Sequence, residues 1–230
     1  ISFCFFGSGI LIYLLIKINF VKKKSATIAY FKPISDFLER YGRTALIILL
    51  LIGLYRIADI VMGVVANIFY LDKGYNVREI ATYSKFFGVF ATIIGGIIGG
   101  YSAIKIGTLR ALFIGALIAA ASNLLFAWLA VSEPNIDILI TVITADNISS
   151  GFAGAAFVVY LSALTSIKFT ATQYALFSSL MLLLPKVLAG YSGTIVDQIG
   201  YANFYIFTAI IGIPVLLLIF WIARIAPVKE

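Results

Sequence analysis

The chain has no histidine and a single cysteine, Cys4, among its 230 residues. Without histidine the commonest zinc ligand and general base is missing, and one cysteine cannot close an internal disulfide. CxxC, HExxH, GxSxG and Walker-loop patterns are absent as well, so the usual zinc, hydrolytic and nucleotide-binding signatures give no support to an enzyme, and no cofactor or metal is implied. Charge is scarce too. Only 12% of residues are Asp, Glu, Lys or Arg against 62% hydrophobic, with a mean hydropathy of +1.08. A soluble chain of this length would leave much of that apolar surface in water, so lipid is its natural solvent.

What is present is a series of long apolar runs. A crossing of the hydrocarbon core takes about 20 predominantly apolar residues, and seven stretches qualify: 1–19, 45–71, 80–103, 108–131, 137–163, 173–198 and 203–223. The chain opens inside the first of them with no charged n-region, which reads as the end of a preceding transmembrane helix and not as a signal peptide. Asn147-Ile148-Ser149 fits a glycosylation sequon but lies within an expected span and carries no weight.

The net charge of +7 is a topology signal. Lys22, Lys23, Lys24, Lys32, Arg40 and Arg43 crowd the first connection, and alternate connections place Lys105, Arg110, Lys168, Arg224 and Lys229 on the same side. Asp72, Lys73, Arg78, Glu79, Lys85, Glu133, Asp137 and Asp197 fall opposite. The positive-inside rule makes the first connection and the C-terminus cytoplasmic. Basic residues scattered over loops do not form a nucleic-acid surface.

Between the first two runs, Pro33, Asp36, Glu39, Arg40, Arg43 and Gly42 are ordered as a short helix suited to its dipole, with Ile34, Phe37, Leu38 and Tyr41 on one face, either for the cytoplasmic interface or, the reading preferred, as a docking linker between two bundles. The expected organisation is a helix end at 1–20, a cytoplasmic linker at 21–44, a six-helix unit at 45–223 and a tail at 224–230.

An internal repeat follows. Gly100, Lys105, Gly107 and Arg110 close one run, and Gly193, Asp197 and Gly200 close another, the Gly-x6-Gly pairs being offset by 93 residues. That offset covers three spans, an odd number of crossings, as a 3+3 inverted-topology repeat requires. The first motif resembles the loop signature of the major facilitator superfamily, with Ile104 where its acidic residue usually stands. More narrowly, the chain resembles the AmpG muropeptide permeases. The match lies in Tyr55 to Gly63, Phe69 to Tyr75 with Glu79 to Ala81 and Ser84 to Gly88, Gly154 to Leu161, and Phe169 to Leu180, of which Phe169-Thr170-Ala171-Thr172-Gln173-Tyr174-Ala175-Leu176 is the most specific. The resemblance implies the C-terminal half of a transporter in the bacterial inner membrane. It also implies a partnering N-terminal half, import of small-molecule anhydromuropeptides and coupling to the proton gradient. Acetyl-coenzyme A transporters share part of the pattern, and a non-transporting sensor or split-permease remnant would tolerate the same half-bundle.

Candidate site residues come from intramembrane polarity. An ionisable group near the midplane survives mainly where it faces a partner or a wet cavity. Counted at 100° per residue, Arg56, Asp59, Gly63, Asn67 and Tyr70 make one stripe; Asp146, Ser149, Ser150 and Tyr160 a second; Ser179, Lys186, Gly190, Gly193 and Asp197 a third. Arg56 and Asp59 can alternatively neutralise each other as a packing pair. Lys186 has no acid nearby in sequence and reads as a cavity cation. Asp59, opposed by desolvation and by Arg56, is the expected proton carrier. Gly95-xxx-Gly99 and Gly96-xxx-Gly100 read as close-packing seams.

Overall fold

The computed structural model describes residues 31–225. The expected span at 1–19, Cys4, Lys22 to Lys24 and the tail from 226 lie outside them. All regular structure among the described residues is helical: α1 (Lys32–Tyr41), α2 (Ala45–Leu54), α3 (Ile57–Asp72), α4 (Val77–Ile80), α5 (Gly88–Ile106), α6 (Thr108–Val131), α7 (Ile136–Leu164), α8 (Thr170–Ala189) and α9 (Ser192–Ile225). Six stretches are long and apolar enough to cross a membrane: Lys32–Asp72, Val77–Ile106, Thr108–Val131, Ile136–Leu164, Thr170–Ala189 and Ser192–Ile225. The first becomes continuously apolar at Ala45, because Asp36, Glu39 and Arg40 keep α1 polar.

Glycine sets the turns. Gly107 (φ 93°, ψ 148°) separates α5 from α6, and Gly200 (φ 76°, ψ 164°) breaks α9 into limbs 192–199 and 201–225. Both positions are strained for any residue with a Cβ, and they repeat the same turn 93 residues apart. Neighbour relations repeat as well: α5 lies on α7 as α8 lies on α2 and α3, while α6 meets α7 as α9 meets α3. Exchanging the first three spans for the last three thus returns these pairings, with α6 against α9 at the centre, although the contact of α5 with α6 has no counterpart of like extent between α8 and α9. This is a major-facilitator-type six-helix half-bundle.

In lipid no hydrophobic drive holds two helices together, so small residues that let backbones touch carry the packing. Gly88, Ala91, Gly95, Gly99 and Ala103 recur on one face of α5, all buried. A Cβ on Gly95 would overlap the Ile148 carbonyl, one on Gly99 the Phe152 carbonyl, and one on Gly151 the Thr92 carbonyl. Thr92 Oγ1 adds a polar rung to Asn147 Oδ1 at 3.0 Å. Gly96 and Gly100 are different: Gly96 has only loose contact and Gly100 none, so the second expected seam does not form. Ile93, Ile94, Ile97 and Ile98 are exposed on the outer face.

α1 does not present all four of Ile34, Phe37, Leu38 and Tyr41 on one surface face. Pro33 and Phe37 turn inward and Phe37 meets the Phe177 ring edge-on at 5.0 Å, whereas Ile34 and Leu38 stay exposed and help line an apolar groove of about 260 Å³ against α2 and α8. The expected single apolar face is therefore divided. The cause is a polar clamp. Gln173, 1% exposed, donates through Nε2 to the Pro33 carbonyl (2.8 Å) and to Asp36 Oδ2 (3.0 Å), while its Oε1 accepts from Ser166 N (2.7 Å) and Arg40 Nη2 (3.0 Å). Arg40 also reaches Asp36 (3.0 Å) and the Leu164 carbonyl (3.1 Å). These bonds rotate α1 so that its Pro33 side seats on the α7–α8 connection.

Candidate functional site

The first spanning stretch is not one helix. The turn at Tyr55 and Arg56 divides it, with Arg56 at φ −96°, ψ 12° preceding α3. Tyr55 anchors the break: its ring stacks on Phe157 at 4.6 Å, and its hydroxyl donates to the Leu112 carbonyl at 3.2 Å. Asp59 then stands in the first turn of α3, where a negative charge is favoured by the exposed N–H groups.

Arg56 Nε lies 3.0 Å from Asp59 Oδ2, an ion pair without the alignment of a hydrogen bond. The guanidinium continues across to α7, donating from Nη2 to Ser150 Oγ at 3.0 Å. Nη1 occupies the notch beside Gly154, 3.1 Å from where a Cβ would stand. Asp146, one turn before Ser150, comes within electrostatic reach of Arg56 and Asp59, with Ser122 of α6 beside it. Asp146, Ser150 and Gly154 thus form a stripe of α7 facing the break between α2 and α3. Ser122 and Ser149 approach to 3.2 Å, and Asn123 donates to Thr208 at 3.2 Å, both pairs buried. Ser122, Asn123 and Thr208 sit in runs so apolar that periodicity does not single them out; the Ser-Asn pair inside an Ala-rich span was the available signal.

The stripe on α3 separates. Gly63 and Asn67 are exposed, whereas Tyr70 is buried beside Phe126. Tyr160 is fully buried and its hydroxyl has no hydrogen-bond partner among the described residues; Tyr41, not Arg56, is the titratable group near it. Lys186 is exposed on α8. Its depth follows from neighbours: Gly53 faces Leu180 and Leu184, and Ser192 Oγ donates to the Val61 carbonyl at 2.9 Å. Register between those contacts places Lys186 level with Arg56 and Asp59. Gly100 lies open, Lys105 sits 5.7 Å over the Tyr101 ring, and Arg110 borders a second cavity between α6 and α9. Gly193, Asp197 and Gly200 are exposed around the second glycine turn. The cluster brings together Arg56, Asp59 and Asp146, and leaves Asn67, Tyr160 and the loop motifs apart.

No family model matches the chain. Individual proteins do. The Rickettsia felis protein named "Putative transporter AmpG 4" is 33% identical over 208 residues, 90% of this chain and 50% of that protein. "Putative transporter AmpG 1" of Rickettsia bellii is 37% identical over 191 residues, 82% of this chain and 47% of that protein. Its namesake in Rickettsia prowazekii is 38% identical over 174 residues, 76% of this chain and 39% of that protein. The chain spans about half the length of the curated relatives it matches. Those relatives are named as transporters, not as enzymes, in keeping with a multi-pass membrane bundle whose polar groups converge inside it. With that similarity extending over most of its length, the chain belongs to the AmpG-type permeases.

Proposed function

We propose that these six spans form the C-terminal half of a secondary transporter that imports anhydromuropeptides across the bacterial inner membrane, driven by the proton gradient. The observation that carries the reading is the level of charge within the bundle: Arg56, Asp59 and Asp146 inside it, and Lys186 exposed beside them at the same depth. Substrate sites of such transporters lie near the midplane, at discontinuous helices and between two halves. In this reading Lys186 faces the N-terminal half across the substrate and holds an anionic group of it, such as a peptide carboxylate. The linker at 21–44, α1 and the C-terminus are cytoplasmic.

Uptake of labelled anhydromuropeptide by cells expressing the intact protein tests the reading. Lys186→Ala should lose uptake with normal abundance in the membrane. Wild-type uptake by that variant removes Lys186 from the site, and transport of acetyl-coenzyme A in place of the muropeptide replaces the substrate.

A further inference from the structure

The ion pair accounts for one acid of two. When ionised, Asp59 and Asp146 bring two negative charges against the single positive charge of Arg56, which reaches from Asp59 on α3 to Ser150, one turn beyond Asp146 on α7; all three are only partly exposed. The titratable and charged groups within electrostatic reach of Asp146 are Arg56, Asp59 and Tyr70 from the first spanning stretch and Tyr205 from α9; α6 offers the neutral Ser122. On the α5 side the seam consists of Gly, Ala and Thr92. No second Lys or Arg is among these neighbours. A surplus negative charge in a low-dielectric interior is costly and is relieved by binding a cation.

An independent observation points the same way. Asp59 Oδ2 is shut from solvent with only the misaligned Arg56 Nε beside it, and the fully buried Tyr205 has a hydroxyl without a hydrogen-bond partner among the described residues. Polar atoms left in this state mark places where a proton or a water completes the hydrogen bonding. The Arg56–Asp59 pair needs no proton to be neutral. Asp146 does.

We propose that Asp146, and not Asp59, is the acid that takes up and releases the coupling proton, with Arg56 and Asp59 as its fixed counter-pair. A carboxylate oxygen of Asp146 accepts the proton from water on one side and returns it to water on the other, and no covalent bond to substrate is involved. The inference rests on the proton-coupled transporter reading above, but its first measurement needs no substrate.

Infrared difference spectra of the intact protein in sodium-free proteoliposomes should show the carbonyl stretch of a protonated carboxylic acid growing as pH falls. Asp146→Asn should lose that band, keep normal abundance, and lose accumulation of labelled anhydromuropeptide against a gradient; any remaining exchange should no longer depend on pH. Asp146→Glu, which keeps a carboxyl group, should keep the band and guards against a folding defect in the amide. The assignment is overturned by a band that survives Asp146→Asn, by full uphill uptake in that variant, or by uptake driven by sodium. A band present in a wild-type protein that takes up no muropeptide leaves the proton site standing and rejects the substrate. Uptake by a wild-type protein without any band does the reverse.

Discussion

Two glycines five residues apart on α5 should respond oppositely to the same added methyl group. At Gly95 a Cβ would overlap the Ile148 carbonyl, and the obstacle is backbone, so no side chain can swing aside. Relief requires α5 and α7 to part along a seam also closed at Gly99 and Gly151. Overpacking typically costs about 1–3 kcal/mol, and contact with rigid backbone places Gly95→Ala at about 3 kcal/mol, more than a hundredfold in the folding equilibrium. At Gly100 nothing lies within 4 Å of the added Cβ, so only helix propensity acts. Alanine exceeds glycine there by up to about 1 kcal/mol, and Gly100→Ala should be neutral or stabilising. The assay is the thermal midpoint of the intact protein in detergent, followed by size-exclusion fluorescence. Equal shifts for the two variants, or an unchanged midpoint for Gly95→Ala, would refute the close-packed seam.

Gln173→Leu removes four hydrogen bonds, three of them to α1, and hydrogen exchange across 32–41 should accelerate while α5 and α7 stay protected; unchanged exchange in α1 would dismiss the clamp. For Asp36, burial acts to raise the carboxyl, but the Gln173 amide and the Arg40 guanidinium outweigh it and hold it below the usual aspartate range. Because the folded value is the lower one, its stabilisation of α1 is complete at neutral pH and is lost as pH falls through that value; protection of α1 followed against pH should show this loss, and Asp36→Asn should abolish it. Lys186→Arg should retain part of the uptake that Lys186→Ala loses, since a guanidinium keeps the charge but not the compact ammonium geometry. For topology, Val77→Cys on a Cys4→Ser background should react with impermeant reagents from the periplasm; Val77 is 71% exposed, whereas neighbouring Tyr75 is 5% exposed and a poor reporter. Labelling only from the cytoplasm would invert the orientation.

The spans were legible in the sequence because hydrocarbon thickness demands long apolar runs, and the turns at Gly107 and Gly200 because a positive φ selects glycine. Pro33 and Gly42 marked both ends of α1 for similar reasons. Faces were harder to read. In a span that is apolar all round, a 100° count tells which residues share a side, not which side meets protein. Gly63, Asn67 and Tyr70 share the unbroken α3, yet Gly63 and Asn67 lie outside while Tyr70 is buried beside Phe126, so the neighbouring helix at each depth decides burial and the count does not. The seven-residue π stretch Ala81–Phe87 between α4 and α5 left no local signature that hydropathy detects. Within the cluster, intramembrane charge singled out Arg56, Asp59 and Asp146, but the notch at Gly154 that admits the guanidinium belongs to tertiary structure. The level shared by Lys186 and Arg56 likewise depends on how α8 slides along α2 and α3.

The clamp on α1 also imposes an order of assembly. Arg40 and Gln173 are separated by 133 residues of chain, and the whole of α5, α6 and α7 is synthesised between them. At roughly 5–20 residues per second, α1 leaves the ribosome on the order of ten seconds before its partner exists. During that interval Phe37 and Pro33 have no Phe177 or Gln173 to cover them. The seating of α1 therefore follows insertion of α8, and a nascent chain stalled before residue 173 would display α1 to proteases and chaperones that the finished bundle excludes.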